Sequence, residues 1–308
     1  MYKRMLVPLD GSELAEVVFT YAKGLAGRLG LDLILLHVCS PEESELAPMH
    51  RAYIERAGEI VKRQSQEVQE RKGIKSGVKA IEARVEMAVG RPADEILRYA
   101  NEGDVDLILM ATHGRSGIGR WVMGSVADKV LRLSKVPIWL VRAGIPEEIV
   151  YDKWPSRTML VPLDGSKLAE SVLPHVKALA KQRGAELIDV VLLRVCERGV
   201  ISPDYPEATM PLSWEEHVKR ATDFYKQVSE QYLAGVEKRL KDAGIRVRSE
   251  VLMGKPSDEI TEYATKNPFN LIFMTTYGRS GLSWWPLGSV ADRVLHGVSS
   301  PIFLVKPH

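Results

Sequence analysis

Two glycine-serine pairs, each preceded by a glycine-containing turn at the same distance, are the residues of this chain best suited to chemistry. The first unit is Ala111-Thr112-His113-Gly114, nine residues, then Gly124-Ser125; the second is Thr275-Thr276-Tyr277-Gly278, nine residues, then Gly288-Ser289. Each unit follows an apolar run, 107–110 or 271–274, and each pair opens a helical-looking stretch, 126–133 or 290–295. A strand, a glycine loop and a helix N-terminus together form a seat for phosphate. Glycine admits close backbone approach, and the helix end offers unpaired N–H groups and a partial positive charge. Asp10 and Asp164, each in the string Val-Pro-Leu-Asp-Gly-Ser, end a short apolar run and could add a carboxylate to the same seat. A turn or helix cap is their competing role. The ligand to expect is a nucleotide.

The motifs of strong catalysts are missing. There is no Gly-x-x-x-x-Gly-Lys-Ser/Thr loop, no His-Glu-x-x-His and no Gly-x-Ser-x-Gly elbow. His113 has no carboxylate or serine partner at a suggestive spacing, so packing in its loop is its default role. Arg115 and Arg279 are suited to phosphate, and equally to solvent. No carboxylate cluster marks a cage for Mg²⁺, which would enter through the phosphates of a bound nucleotide. Cys39 and Cys196 occupy matching places. Two thiols are too few for a disulfide framework, no zinc-type Cys/His cluster is evident, and both are expected to be simply packed.

The elements that must position these residues come twice. Residues 5–15 read MLVPLDGSELA and residues 159–169 read MLVPLDGSKLA. The offset between copies is 154 at Asp10/Asp164, 157 at Cys39/Cys196, and 164 at Gly90/Gly254, where it stays through Gly124/Gly288 and Pro137/Pro301. A single repeat at domain length means two copies of one fold. In the first copy, strands are expected over 5–8, 31–38, part of 78–89, 107–110 and 137–141. Between them, helices run from Ser12 as N-cap to about Leu29, over 42–72 with a stop at Gly73, from Pro92 to near Asn101, and over 125–133. Strands alternating with helices give an α/β fold, a parallel sheet covered on both faces. Ligands in such sheets bind beyond the carboxyl ends of the strands, where Asp10, Cys39 and the 111–125 loop all fall. The expected domains are 1–143 and 157–308, with 144–156 as linker.

The quoted strings, together with L-L-H-V at 35–38, G-R-P at 90–92, D-L-I-L-M-A-T-H-G-R-S-G at 106–117, G-S-V-A-D-K-V-L at 124–131 and V-P-I-W-L-V at 136–141, resemble the universal stress protein family. The resemblance covers essentially the whole chain, as a tandem of two such domains. It implies a five-stranded sheet of order 3-2-1-4-5 in each copy, with the copies paired through their last strands, 136–142 and 300–306. In the nucleotide-binding branch of the family, Gly-x-x-Gly, nine residues, Gly-Ser/Thr holds the phosphates and ribose of ATP. Carried over, Asp10 would accept from the adenine amino group or a neighbouring polar atom, and the backbone of Val38 would meet the adenine edge. Gly114, Gly124, Ser125 and the Val126 N–H would take the phosphates, with Ala111, His113, Arg115 and Gly117 completing the loop. The matching set is Asp164, Val195, Gly278, Arg279, Gly281, Gly288, Ser289 and Val290. Two departures stand out: the family's first glycine is Ala111 in one copy and Thr275 in the other. The second loop also carries Tyr277 for His113, and Trp284-Trp285-Pro286 for Arg120-Trp121-Val122. The first copy is therefore the stronger expected ATP site.

In a chain of 308 residues, 27% charged residues and a formal net charge of +2 give no reason to expect nucleic acid as a partner. No apolar run is long enough to span a bilayer, and no basic-then-apolar leader is seen, so a cytoplasmic protein is expected. The expected function is that of an ATP-binding sensor or regulator in stress response, with at most slow ATP hydrolysis and a regulatory protein partner of unknown identity. The alternative is a non-catalytic interaction scaffold with one or both pockets vestigial. A tandem chain already contains a pseudo-dimer, which leaves both a monomer and a homodimer of tandem chains open.

Overall fold

The computed structural model describes residues 2–71, 80–112, 123–142, 157–197, 214–267, 269–276 and 287–307. The expected linker 144–156, most of both glycine loops, and the expected stop at Gly73 lie outside them. In the N-terminal half, β1 (Arg4–Leu9), α1 (Glu13–Glu16), α2 (Val18–Leu29) and β2 (Asp32–Cys39) lead to a 3-10 turn, Pro41–Leu46. There follow α3 (Ala47–Arg71), β3 (Ala83–Val89), α4 (Pro92–Glu102), β4 (Leu107–Ala111), α5 (Ser125–Leu133) and β5 (Ile138–Val141). The C-terminal half repeats the order with β6 (Arg157–Pro162), α6 (Lys167–Glu170), α7 (Leu173–Arg183), β7 (Ile188–Cys196) and α8 (Trp214–Lys241). It closes with β8 (Arg246–Met253), α9 (Pro256–Lys266), β9 (Leu271–Thr275), α10 (Ser289–Gly297) and β10 (Ile302–Val305).

All these strands join one sheet, in the order β3-β2-β1-β4-β5-β10-β9-β6-β7-β8. Each half is thus a parallel 3-2-1-4-5 sheet, as expected. The halves meet through β5 and β10, the antiparallel pair, with Leu140, Trp139 and Ile138 facing Ile302, Phe303 and Leu304. The near-continuous apolar strands follow from burial on both faces. Residues 33, 35, 107 and 109 face one apolar layer with α2 and α3; 34, 36, 108 and 110 face the other with α4 and α5. Each layer continues into the second half, through Met159, Leu192 and Phe273 on one face and Leu160, Val191 and Ile272 on the other.

Local signals explain the helix ends. The Ser12 and Ser166 hydroxyls accept from Ala15 N–H at 3.1 Å and Ala169 N–H at 3.0 Å, the N-caps of α1 and α6. Gly30, at φ 68°, ends α2 in the left-handed conformation that glycine adopts at little cost. Pro92 and Pro256 stand at the first helical position, where a missing N–H costs nothing. One difference from expectation is the single helix drawn from Ser12 to Leu29. It is two, α1 and α2, divided at Val17.

Side chains also tie the halves together. Arg142, just past β5, donates to Val298 O at 2.6 Å and His296 O at 3.3 Å, and burial lowers its pKa. On the opposite face Gln182 of α7 donates to Tyr2 O and Leu29 O, at 2.9 and 2.6 Å. The Tyr2 hydroxyl lies 2.5 Å from His175 Nδ1.

Candidate functional site

The C-terminal ends of β1, β2 and β4 surround a cavity of about 280 Å³, where the chain's path across the sheet reverses between β1 and β4. Asp10, Val38, Ala111, Gly124, Ser125 and Val126 line it, so six residues singled out from sequence share one space. In the second half, Asp164, Val195, Thr275, Gly288, Ser289 and Val290 line a cavity of about 740 Å³. His113, Gly114, Arg115 and Gly117, with Gly278, Arg279 and Gly281, lie outside the described residues, as do Tyr277, Trp284, Trp285 and Pro286. The two volumes therefore describe the strand and helix walls, and on those walls the second cavity is the roomier.

Each wall has a physical cause. Asp10 Oδ1 accepts from the Ser12 N–H at 3.0 Å and hydroxyl at 2.7 Å, and Asp164 Oδ1 accepts from the Ser166 N–H at 2.8 Å. The Asp-Gly-Ser turn role is thus real, and it fixes a carboxylate at the cavity edge. Gly11 and Gly165, at φ 79° and 84°, make the turn possible. The opposite wall is the start of α5 or α10. Gly124 and Gly288 are N-caps without a side-chain cap hydrogen bond, so the first N–H groups of each helix have no intrahelical or side-chain cap partner there. Gly124 N–H donates to Thr112 O at 2.9 Å, and Gly288 N–H to Thr276 O at 2.6 Å. These bonds pinch both ends of each glycine loop together. They also use the glycine N–H, which leaves Ser125 and Val126, or Ser289 and Val290, as the donors at the helix end.

Sequence reasoning did not single out His37, Ser40 and Glu43 around the first cavity, or Phe224, Tyr225 and Val228 around the second. His37 lies on β2 and the other two follow its end, with Ser40 N–H donating to Glu43 Oε2 at 3.2 Å. The second three lie on α8, which the irregular apolar spacing of that region does not announce. Phe224 and Tyr225 are exposed, 60% and 47%, at the cavity mouth. His37 is 1% exposed and donates through Nδ1 to Leu9 O at 3.0 Å, since a carbonyl can only accept. Its counterpart Arg194 lays its guanidinium on the Tyr232 ring at 4.9 Å.

With this geometry in view, the family model for the universal stress protein family matches the chain twice, over residues 1–142 and 155–306. The chain belongs to the universal stress protein family. A universal stress protein of Methanocaldococcus jannaschii is 30% identical over 152 residues, spanning 49% of this chain and 82% of that protein. One from Mycobacterium bovis is 22% identical over 315 residues, spanning 98% of this chain and 96% of that one, and so shares the tandem length. The crystal structure of a universal stress protein from Archaeoglobus fulgidus superposes with a TM-score of 0.66 at 20% identity, covering 99% of this chain and 96% of that one. That likeness establishes the fold across both halves. No helix among the described residues of this universal stress protein is long and apolar enough to cross a membrane.

Proposed function

We propose that this universal stress protein binds ATP in both halves and acts in the cytoplasm as a nucleotide-dependent sensor or regulator, with hydrolysis slow or absent. The observation that carries the reading is the convergence, twice, of a strand-end Asp, a strand-end valine backbone and a bare helix N-terminus around one cavity. In this reading Val38 and Val195 present backbone groups to the adenine, with Asp10 or Asp164 accepting from its amino group or a neighbouring polar atom. Ser125 and Val126, or Ser289 and Val290, hold phosphate through N–H groups and the serine hydroxyl, helped by the helix dipole. Gly114, Gly117, Gly278 and Gly281, with Ala111, His113, Arg115 and Arg279, would close the loop over the ligand, and Mg²⁺ would ride on the phosphates. The domain units are 1–143 and 157–308.

Both cavities are candidates on equal terms. Thr275 lines the second without closing it, so the β-branched residue in place of the family's first glycine leaves room for a ligand. The test is extraction of nucleotide from the purified full chain, followed by calorimetric titration of the stripped protein with ATP. Two equivalents bound per chain are expected. No extracted nucleotide together with no titration signal would sink the proposal, and a single equivalent would restrict it to one half.

A further inference from the structure

Behind the first cavity, on the α3 face of the sheet, lies a group the nucleotide reading does not use. His37 and Cys39 stand two apart on β2 and so point to one side of it, and His50 comes down from the first turn of α3. All three are buried, with exposures of 1%, 1% and 6%. One ligand atom from each lies within 4.8 Å of the other two. The imidazoles of His37 and His50 stack with centroids 4.5 Å apart and planes at 26°.

Two details suit a metal ligand set. The bond from His37 Nδ1–H to Leu9 O fixes the tautomer and leaves Nε2 as the lone-pair nitrogen. A backbone carbonyl holding the far nitrogen is the usual support of a metal-binding histidine. His50 Nε2 is buried with no hydrogen-bond partner, an arrangement that costs free energy unless something binds there. The second half builds the matching place from different side chains. There the thiol of Cys196 is 2.9 Å from Ser229 Oγ, and Arg194 replaces the strand histidine.

We propose that His37, Cys39 and His50 bind one Zn²⁺ per chain. A thiolate and two neutral imidazoles are borderline-soft donors suited to zinc. Three protein ligands leave a fourth, tetrahedral position for water, and His37, which also lines the first cavity, marks the entry path. Donor atoms in such a site stand about 3.3–3.7 Å apart, as bond lengths of about 2.0–2.3 Å require. To reach that spacing the two rings must turn out of their stack so that their lone pairs converge with the thiolate. Bound zinc would staple the first turn of α3 to the end of β2, beside the strand residue assigned to adenine. The inference rests on the histidines and thiol alone and stands whether or not ATP binds.

The test uses the metal-stripped full chain titrated with Co²⁺, whose thiolate charge-transfer band and tetrahedral ligand-field bands report the ligands directly. One equivalent should develop both, release about one proton as the thiol ionises, and be displaced by Zn²⁺. Cys39→Ser should abolish the charge-transfer band, His50→Gln should weaken Co²⁺ binding by at least about 100-fold, and Cys196→Ser should leave both unchanged. Zinc should raise the thermal midpoint of the wild type and of Cys196→Ser, and not that of Cys39→Ser. A wild-type chain without the charge-transfer band overturns the assignment even if a variant fails to fold. So does a band that survives Cys39→Ser or vanishes in Cys196→Ser.

Discussion

Gly124 sits at φ −61°, ψ 146°, and Gly288 at φ −61°, ψ 144°, extended backbone open to any residue. In the proposed ATP site, what these glycines contribute is therefore the missing side chain beside the helix end. Gly124→Leu should cost the fold only about 1 kcal/mol, through a weaker N-cap, while lowering ATP affinity of the first half more than about 10-fold, since a clash at the phosphate seat removes several hydrogen bonds. Gly288→Leu should do the same in the second half. Calorimetric titration beside thermal unfolding separates the two effects, and equal losses in both would assign these glycines to folding alone. Asp10, Gly124 and Ser125 were legible in the sequence because each recurs at a fixed place in a second copy. His37 and His50 were not. The third donor stands eleven residues beyond Cys39 and on a different element, so only the packing of α3 against β2 brings the cluster together.

At the scale of elements, one short antiparallel pair, β5 with β10, carries the sheet from one half into the other. Trp139 is fully buried opposite Phe303, with ring centroids 6.1 Å apart, and also packs on Tyr21 at 6.5 Å. Trp139→Ala should destabilise the chain by about 3–5 kcal/mol, the usual cost of emptying an aromatic site in a core, read as a lower urea midpoint. A change below about 1 kcal/mol would mean that the pair contributes little to the join. The strands and most helices were readable because apolar runs of strand length alternate with capped, proline-started helical segments. The division of the first helix at Val17 was not. Val17 itself keeps helical dihedrals, φ −52° and ψ −27°, and no proline or glycine marks the spot. In the second copy Pro174, at the start of α7, gives the corresponding break a visible cause.

Over the whole molecule, one contact between halves carries a pH signature. His175 of α7 meets the Tyr2 hydroxyl at 2.5 Å and packs beside Phe303, and burial lowers its pKa from the usual 6.5. The unfolded chain therefore binds a proton at a pH where the folded chain does not. This contribution is intact above the unfolded value, is lost as pH falls through about 6.5, and levels off below the folded value. His175→Gln should flatten the dependence of the urea midpoint on pH between about 7.5 and 5.5. A variant whose pH dependence matches the wild type would place the titration elsewhere.

The antiparallel join of β5 to β10 has a consequence for the chain's history as well as its stability. In a pair of identical subunits, every substitution is copied to both sites and must be tolerated twice. Here the two halves are separate stretches of one polypeptide, held together at any dilution, and each can drift alone. His37 on one side and Arg194 at the matching place on the other are the visible result: a position that symmetry would have kept the same has gone separate ways without disturbing the sheet between the halves.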